Sequence, residues 1–170
     1  PLIDIKERCP SIVVEMRYAT KNNFTGKILY PRPVCLLCEP VANRLARVQE
    51  ALEKEGLGLK AWDCYRPIHV QKILWETVPD PRYVANPKTG SRHNRGTAVD
   101  VTLVDPYGKE LPMPTPFDEF SPRAHRDYRD LPKKVLQNRE KLQAAMEAEG
   151  FLGLPTEWWH FDDPDWKNFA

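Results

Sequence analysis

Ser91-Arg92-His93-Asn94-Arg95-Gly96-Thr97-Ala98-Val99-Asp100-Val101-Thr102-Leu103-Val104 is the stretch that decides the fold. From Thr97 onward it has the period of a strand. Val99, Val101 and Leu103 share one face, and Ala98, Asp100 and Thr102 share the other. The aliphatic face belongs to a core. A carboxylate buried on the opposite face needs a partner, and a metal ion is one. His93 precedes Asp100 by seven residues, which in a straight strand would be about 23 Å. The chain must therefore bend between them. Asn94-Arg95-Gly96 supplies the bend, because glycine tolerates positive φ.

Working outward, the natural companion is Glu157-Trp158-Trp159-His160. Two imidazoles and one carboxylate (His93, His160 and Asp100) can hold zinc and leave a fourth position for water. Glu157 is a spare carboxylate that can take a proton from that water. Structural zinc sites are closed and usually rich in cysteine, so the pattern points to metal-assisted hydrolysis. Glu157 and His160 are three residues apart. A regular strand would put them on opposite faces and a helical turn on one side, and both readings stay open. Arg66 follows an expected strand and precedes Pro67. Its permanent charge suits a developing oxyanion; the plainer alternative is a surface pair with Asp63. His69 and His125 have no ligand-like company and read as surface or capping residues. Asp105, Asp162, Asp163 and Asp165 read as solvated loop carboxylates.

The remaining pattern gives an α+β chain with a small antiparallel sheet flanked by helices. Ile12, Val14, Met16 and Tyr18 alternate as a strand would. Residues 22–33 are loop-like. Val41, Leu45, Val48 and Leu52 mark a helix opened by Pro40 and stopped at Gly56. Leu57–Trp62 is a strand. Pro67 starts a second helix with Val70, Ile73 and Leu74, barred by Pro79. Residues 105–130 form a long proline-rich loop, of the kind that is more often functional than idle. A last helix runs from Pro132 to Glu149, ahead of a short element carrying Glu157 to Phe161.

The bulk properties bound the function. At 170 residues and 41% hydrophobic, the chain can bury a real core as one domain spanning 1–170. Lys and Arg number 25 against 24 Asp and Glu, which gives no case for nucleic acid. The longest apolar run, Val34–Cys38, is far below the roughly 20 residues of a membrane span. The chain opens on Pro1, which points to a processed or trimmed product. Cys9, Cys35, Cys38 and Cys64 read as core or disulfide residues. Disulfides would suit the periplasm and reduced thiols the cytoplasm; with the missing start they favour the cell envelope.

Ser-x-His-x-x-Gly-x-Ala-x-Asp followed by Glu-x-Trp-His resembles the zinc D,D-peptidases of bacterial cell-wall metabolism, above all their VanX-like D-alanyl-D-alanine dipeptidase branch. Asn23-Phe24-Thr25-Gly26, Asp63-Cys64-Tyr65-Arg66-Pro67 and Phe117-Asp118 extend the similarity over nearly the whole chain. The resemblance implies one zinc ion on His93, Asp100 and His160, with Glu157 as general base and acid. It implies that Arg66 stabilises the transition state. Asp118 would receive the free ammonium of D-Ala-D-Ala, and Ser91 would hydrogen-bond the dipeptide. Rival readings are a D,D-carboxypeptidase or endopeptidase with the same zinc site, and a non-catalytic zinc-containing binding protein. Two departures from the family pattern are Arg92, in place of serine, and Cys64, in place of glycine.

Overall fold

Five strands form the sheet on which the site is built, in the order β2-β4-β5-β7-β6. The structure is a computed structural model and describes residues 1–169. In chain order the elements are β1 (Leu2–Asp4), α1 (Ile5–Arg8), β2 (Val13–Val14), β3 (Leu36–Cys38), α2 (Glu39–Glu53), β4 (Gly58–Asp63) and α3 (Ile68–Thr77). They continue with β5 (Ala98–Val104), α4 (Lys133–Ala148), β6 (Leu152–Leu154) and β7 (Glu157–Asp162). β4, β5, β7 and β6 pair antiparallel, whereas the two-residue β2 pairs parallel to β4 at the edge. A separate antiparallel ribbon joins β1 to β3.

Each helix follows from its apolar spacing. Val41, Leu45, Val48 and Leu52 are fully buried on α2, which packs on β4 and α4. Pro40 stands in the first turn of α2, and Gly56 adopts φ 72° just beyond its end. The α4 stripe of Val135, Leu142 and Met146 is buried as well. The expected strand over 12–18 is the exception. Ile12, Met16 and Tyr18 are buried, yet only Val13 and Val14 pair. A 3₁₀ turn over Arg17–Ala19 ends the extended run and aims Tyr18 into the cavity described below. The alternation there reports burial, not a ladder.

Pairing register puts three residues in one row. Asp100 of β5 stands opposite His160 of β7 and opposite Asp63 of β4. The second pairing depends on a bulge, because the β4–β5 register shifts between Ala61 and Asp63. Such irregularities re-aim side chains at sites. Val99 faces Phe161 and Val101 faces Ala61, all fully buried.

Candidate active site

The loop before β5 presents His93. Residues Arg92–Arg95 form a 3₁₀ turn whose cap, Ser91, accepts from the His93 amide through Oγ at 3.2 Å. Asn94 closes the turn by accepting from the Ser91 amide at 2.7 Å. Gly96 ends it at φ 72°, where an added Cβ would lie 2.5 Å from Leu2 Cδ2. The expected bend is thus in place, and it returns His93 to the start of β5.

His93 Nε2 and His160 Nδ1 each lie 3.1 Å from Asp100 Oδ1. All three donors lie within 4.8 Å of one another and are buried. The second nitrogen of each ring is engaged elsewhere: His93 Nδ1 with the Cys64 carbonyl at 2.7 Å, and His160 Nε2 with Asp162 Oδ1 at 2.8 Å. Two imidazoles so anchored turn one nitrogen apiece toward a carboxylate oxygen, which is the donor set of an open zinc site. The residues fit that ion. Burial works against charge on His160, but Asp162 and Asp100 outweigh it and push the imidazole up to about 10. Burial likewise opposes ionisation of Asp100, and the histidines hold it well below the ordinary carboxylate range. A dication taking the place of that proton would release it, so metal uptake is linked to proton release.

Glu157 lies within β7, so the helical-turn alternative does not apply. Pairing with β6 jumps from Gly153↔Phe161 to Leu154↔Glu157. That break lets Glu157 and His160 line one cavity despite their odd separation. Burial raises the Glu157 carboxyl well above its usual range; His160 pulls it back in part, and Asp100 adds to the rise. Arg126 ties β7 to β6 beside this break. Its Nη2 donates to the His160 carbonyl and its Nε to the Leu154 carbonyl, both at 2.7 Å.

Arg66 is buried, which removes the surface-pair alternative. Asp63 does pair with it: Nε and Nη2 donate to Asp63 Oδ2 at 3.1 and 2.8 Å. Nη1 donates to Gln71 at 2.7 Å, and Nη2 stands 3.9 Å from Asp100 Oδ2. Asp63 Oδ1 in turn accepts from Tyr30 Oη at 2.6 Å. The cation is therefore aimed and immobile. Asp118, at φ 60°, accepts from the Tyr18 hydroxyl. Burial first, and then the charge of Asp100, push its carboxyl up to about 8.

His93, Asp100, His160, Glu157, Arg66, Asp118 and Tyr18 line one cavity of about 140 Å³. Drug-sized ligands usually occupy roughly 300–1,000 Å³, so this space suits a small substrate. Phe24, Tyr83 and Phe120 wall it; Phe120 lies edge-on to Phe24 at 5.0 Å and stacks on Tyr83 at 5.3 Å. Ser91 and Arg92 lie on the same lining.

The profile of the peptidase M15 family described as D-ala-D-ala dipeptidase matches residues 1–168. The chain belongs to this family. A D-alanyl-D-alanine dipeptidase of Escherichia coli K12 is 40% identical over 163 residues, covering 96% of this chain and 84% of that protein. A Streptomyces coelicolor protein of the same name is 34% identical over 178 residues, covering 92% and 88%. The fold is also similar to that of the zinc-bound vancomycin-resistance D,D-pentapeptidase VanY, with a TM-score of 0.52 at 15% identity over 76% of this chain and 73% of that one.

Cys64 and Arg92, singled out in the sequence, have definite places. Cys64 is bonded to Cys35 as a disulfide, while Cys9 and Cys38 are free and buried. Arg92 turns toward Asp162 and Trp166. Asp162 and Asp163, expected in solvent, are buried: the first supports His160, and the second accepts from Arg44 Nε at 3.0 Å. Strand β7 runs one residue past Phe161 and carries Asp162 inside. His125 is half-buried, with its Nε2 2.8 Å from Tyr83 Oη. His69 is exposed, as expected. The sequence gives Tyr18 only a strand position and Asp162 only a loop position, and it marks neither Tyr30 nor Gln71. A dyad spacing from His160 was the only available signal, and it pointed to Asp162 alone.

Proposed function

We propose that this protein hydrolyses free D-alanyl-D-alanine, with one zinc ion held by His93 Nε2, Asp100 Oδ1 and His160 Nδ1. The observation that carries the reading is that these three donors share a small cavity with Glu157, Arg66 and Asp118. Bound there, zinc supplies Lewis acidity toward a carbonyl and lowers the pKa of water. Everything else falls to side chains. The Glu157 carboxylate takes a proton from the attacking water and returns it to the leaving amine. Its raised pKa suits both halves of that task. Arg66, locked by Asp63 and Gln71, meets the negative charge that develops on the carbonyl oxygen. Because it is already oriented, little reorganisation is needed as the charge appears.

Asp118 receives the substrate's ammonium and sets the length of peptide accepted. The amine must lie one residue before the cut to reach it. Ser91 Oγ accepts from the His93 amide, which leaves its O–H free to donate to the dipeptide. Phe24, Tyr83 and Phe120 exclude water and longer chains from that end. The Asp118 carboxylate and the small cavity favour a free dipeptide over a carboxypeptidase or endopeptidase substrate. Binding alone would require neither Glu157 nor Arg66. The Cys35–Cys64 disulfide supports an oxidising compartment such as the cell envelope.

The test joins metal analysis of the purified protein with a ninhydrin assay on D-Ala-D-Ala and its N-acetyl derivative. The expected result is about one zinc per chain and cleavage of the free dipeptide only. Asp118→Ala is expected to raise KM for the free dipeptide, and so to narrow the gap between it and the acylated one. Equal cleavage of both substrates by the parent protein would defeat the length assignment.

A further inference from the structure

Asp162 closes β7, two residues past His160 and on the same side of the strand. Its backbone pairs with Ala98 on one side and Leu152 on the other. Oδ1 accepts from His160 Nε2 at 2.8 Å, and Oδ2 lies 3.8 Å from Arg92 Nη1. The Arg92 guanidinium rests on the Trp166 ring, 4.1 Å from its centroid. Arg95 approaches the same ring at 5.1 Å and anchors the segment by donating to the Phe169 carbonyl at 2.8 Å. Trp166, Arg92, Asp162 and His160 thus form a continuous line from the surface to the metal-holding cluster.

We infer that Asp162 is a positioning residue for the metal centre, and that Arg92, clamped on Trp166, holds Asp162 in place. The inference rests on the zinc reading above. An imidazole can ligate only through the nitrogen that carries no proton. An ionised carboxylate is purely an acceptor, so behind Nε2 it keeps the proton there and leaves the Nδ1 lone pair toward Asp100. Left alone, an Asp side chain at a strand end could still swing. Arg92 engages its second oxygen, and the flat stack on Trp166 limits where that cation can go. A serine at position 92 would be too short to span the gap. Arg92, at the edge of the cavity, therefore braces a ligand through Asp162.

Zinc affinity, measured on the purified holoprotein by competition with a chromophoric chelator at one fixed pH, tests this without substrate. Asp162→Ala is expected to weaken zinc binding by about 10- to 100-fold. Arg92→Ala and Trp166→Ala are expected to weaken it by a smaller factor. In the Arg92→Ala/Asp162→Ala double variant, the loss should be no greater than in Asp162→Ala alone, since coupled residues are not additive. Zinc affinity of Asp162→Ala within about twofold of the parent would overturn the proposal. So would an Arg92→Ala effect that is absent, or that persists in full without the Asp162 carboxylate. Should Asp162→Ala fail to fold, Asp162→Asn keeps the shape and is held to the same twofold limit. A parent protein that binds no zinc at all would bring down the functional reading itself.

Discussion

Glu157 and Asp118 are carboxyls that burial keeps from ionising easily, and each serves a separate need. Glu157→Ala leaves the three donor residues intact. It is expected to keep its zinc and to lose about three or more decades of kcat, as central catalytic groups do. Metal analysis beside steady-state kinetics checks this, and activity near the parent level would remove Glu157 as the base. Asp118 makes a prediction about stability. Its carboxyl stands at about 8 when folded, against an ordinary 3.8. Its contribution to stability is therefore intact below about pH 4 and is lost as pH rises toward 8. Asp118→Asn carries no such burden. In chelator-treated protein the variant should match the parent near pH 4 and melt higher near pH 8, by calorimetry. A gain that is equal at both pH values would show that the carboxyl is not shifted. Glu157 was legible from its motif and Asp118 only through family resemblance. Asp162 reads as a loop carboxylate because only its dyad spacing from His160 marks it, and that counts only if the strand runs on past Phe161.

The turn over 91–96 is the element on which the cluster turns. Gly96 stands at φ 72°, where a side chain is strained, and a Cβ would lie 3.3 Å from the Cys38 amide and displace Leu2 Cδ2, 2.5 Å away. Gly96→Ala should destabilise the protein by about 1–3 kcal/mol through strain at a left-handed position. It should also weaken zinc binding, because His93 hangs from that turn. Urea unfolding and chelator competition measure the two effects, and unchanged values in both would show that the turn adjusts freely. Elements of this kind were readable where they are long or chemically marked. α2 and β5 announced themselves by period, and Gly96 by its type. β1, β3 and β6 span three residues each, too few to show any period. The row of Asp63, Asp100 and His160 was hidden for another reason. It depends on a bulge at Trp62, and bulges leave no mark in one sequence.

For the molecule as a whole, the covalent tie between Cys35 and Cys64 spans 29 residues and joins the β3 approach to the segment bearing Arg66. Closing a loop of that size stabilises by about 3.6 kcal/mol. Reduction with dithiothreitol should therefore lower Tm by roughly 7–14 °C for a chain of this size. Cys35→Ser should reproduce the shift and abolish any further effect of reductant. A Tm indifferent to both would show that the bridge carries no stability. The sheet carries a different consequence. Adjacent strands stand about 4.8 Å apart whatever side chains they bear, so the distance between Asp100 and His160 is ruled by the backbone lattice. The walls around them come from loops that the lattice does not constrain. Exchanging those loops would change which peptide enters while the cutting apparatus stays as it is, which makes this scaffold a ready host for new substrate preferences.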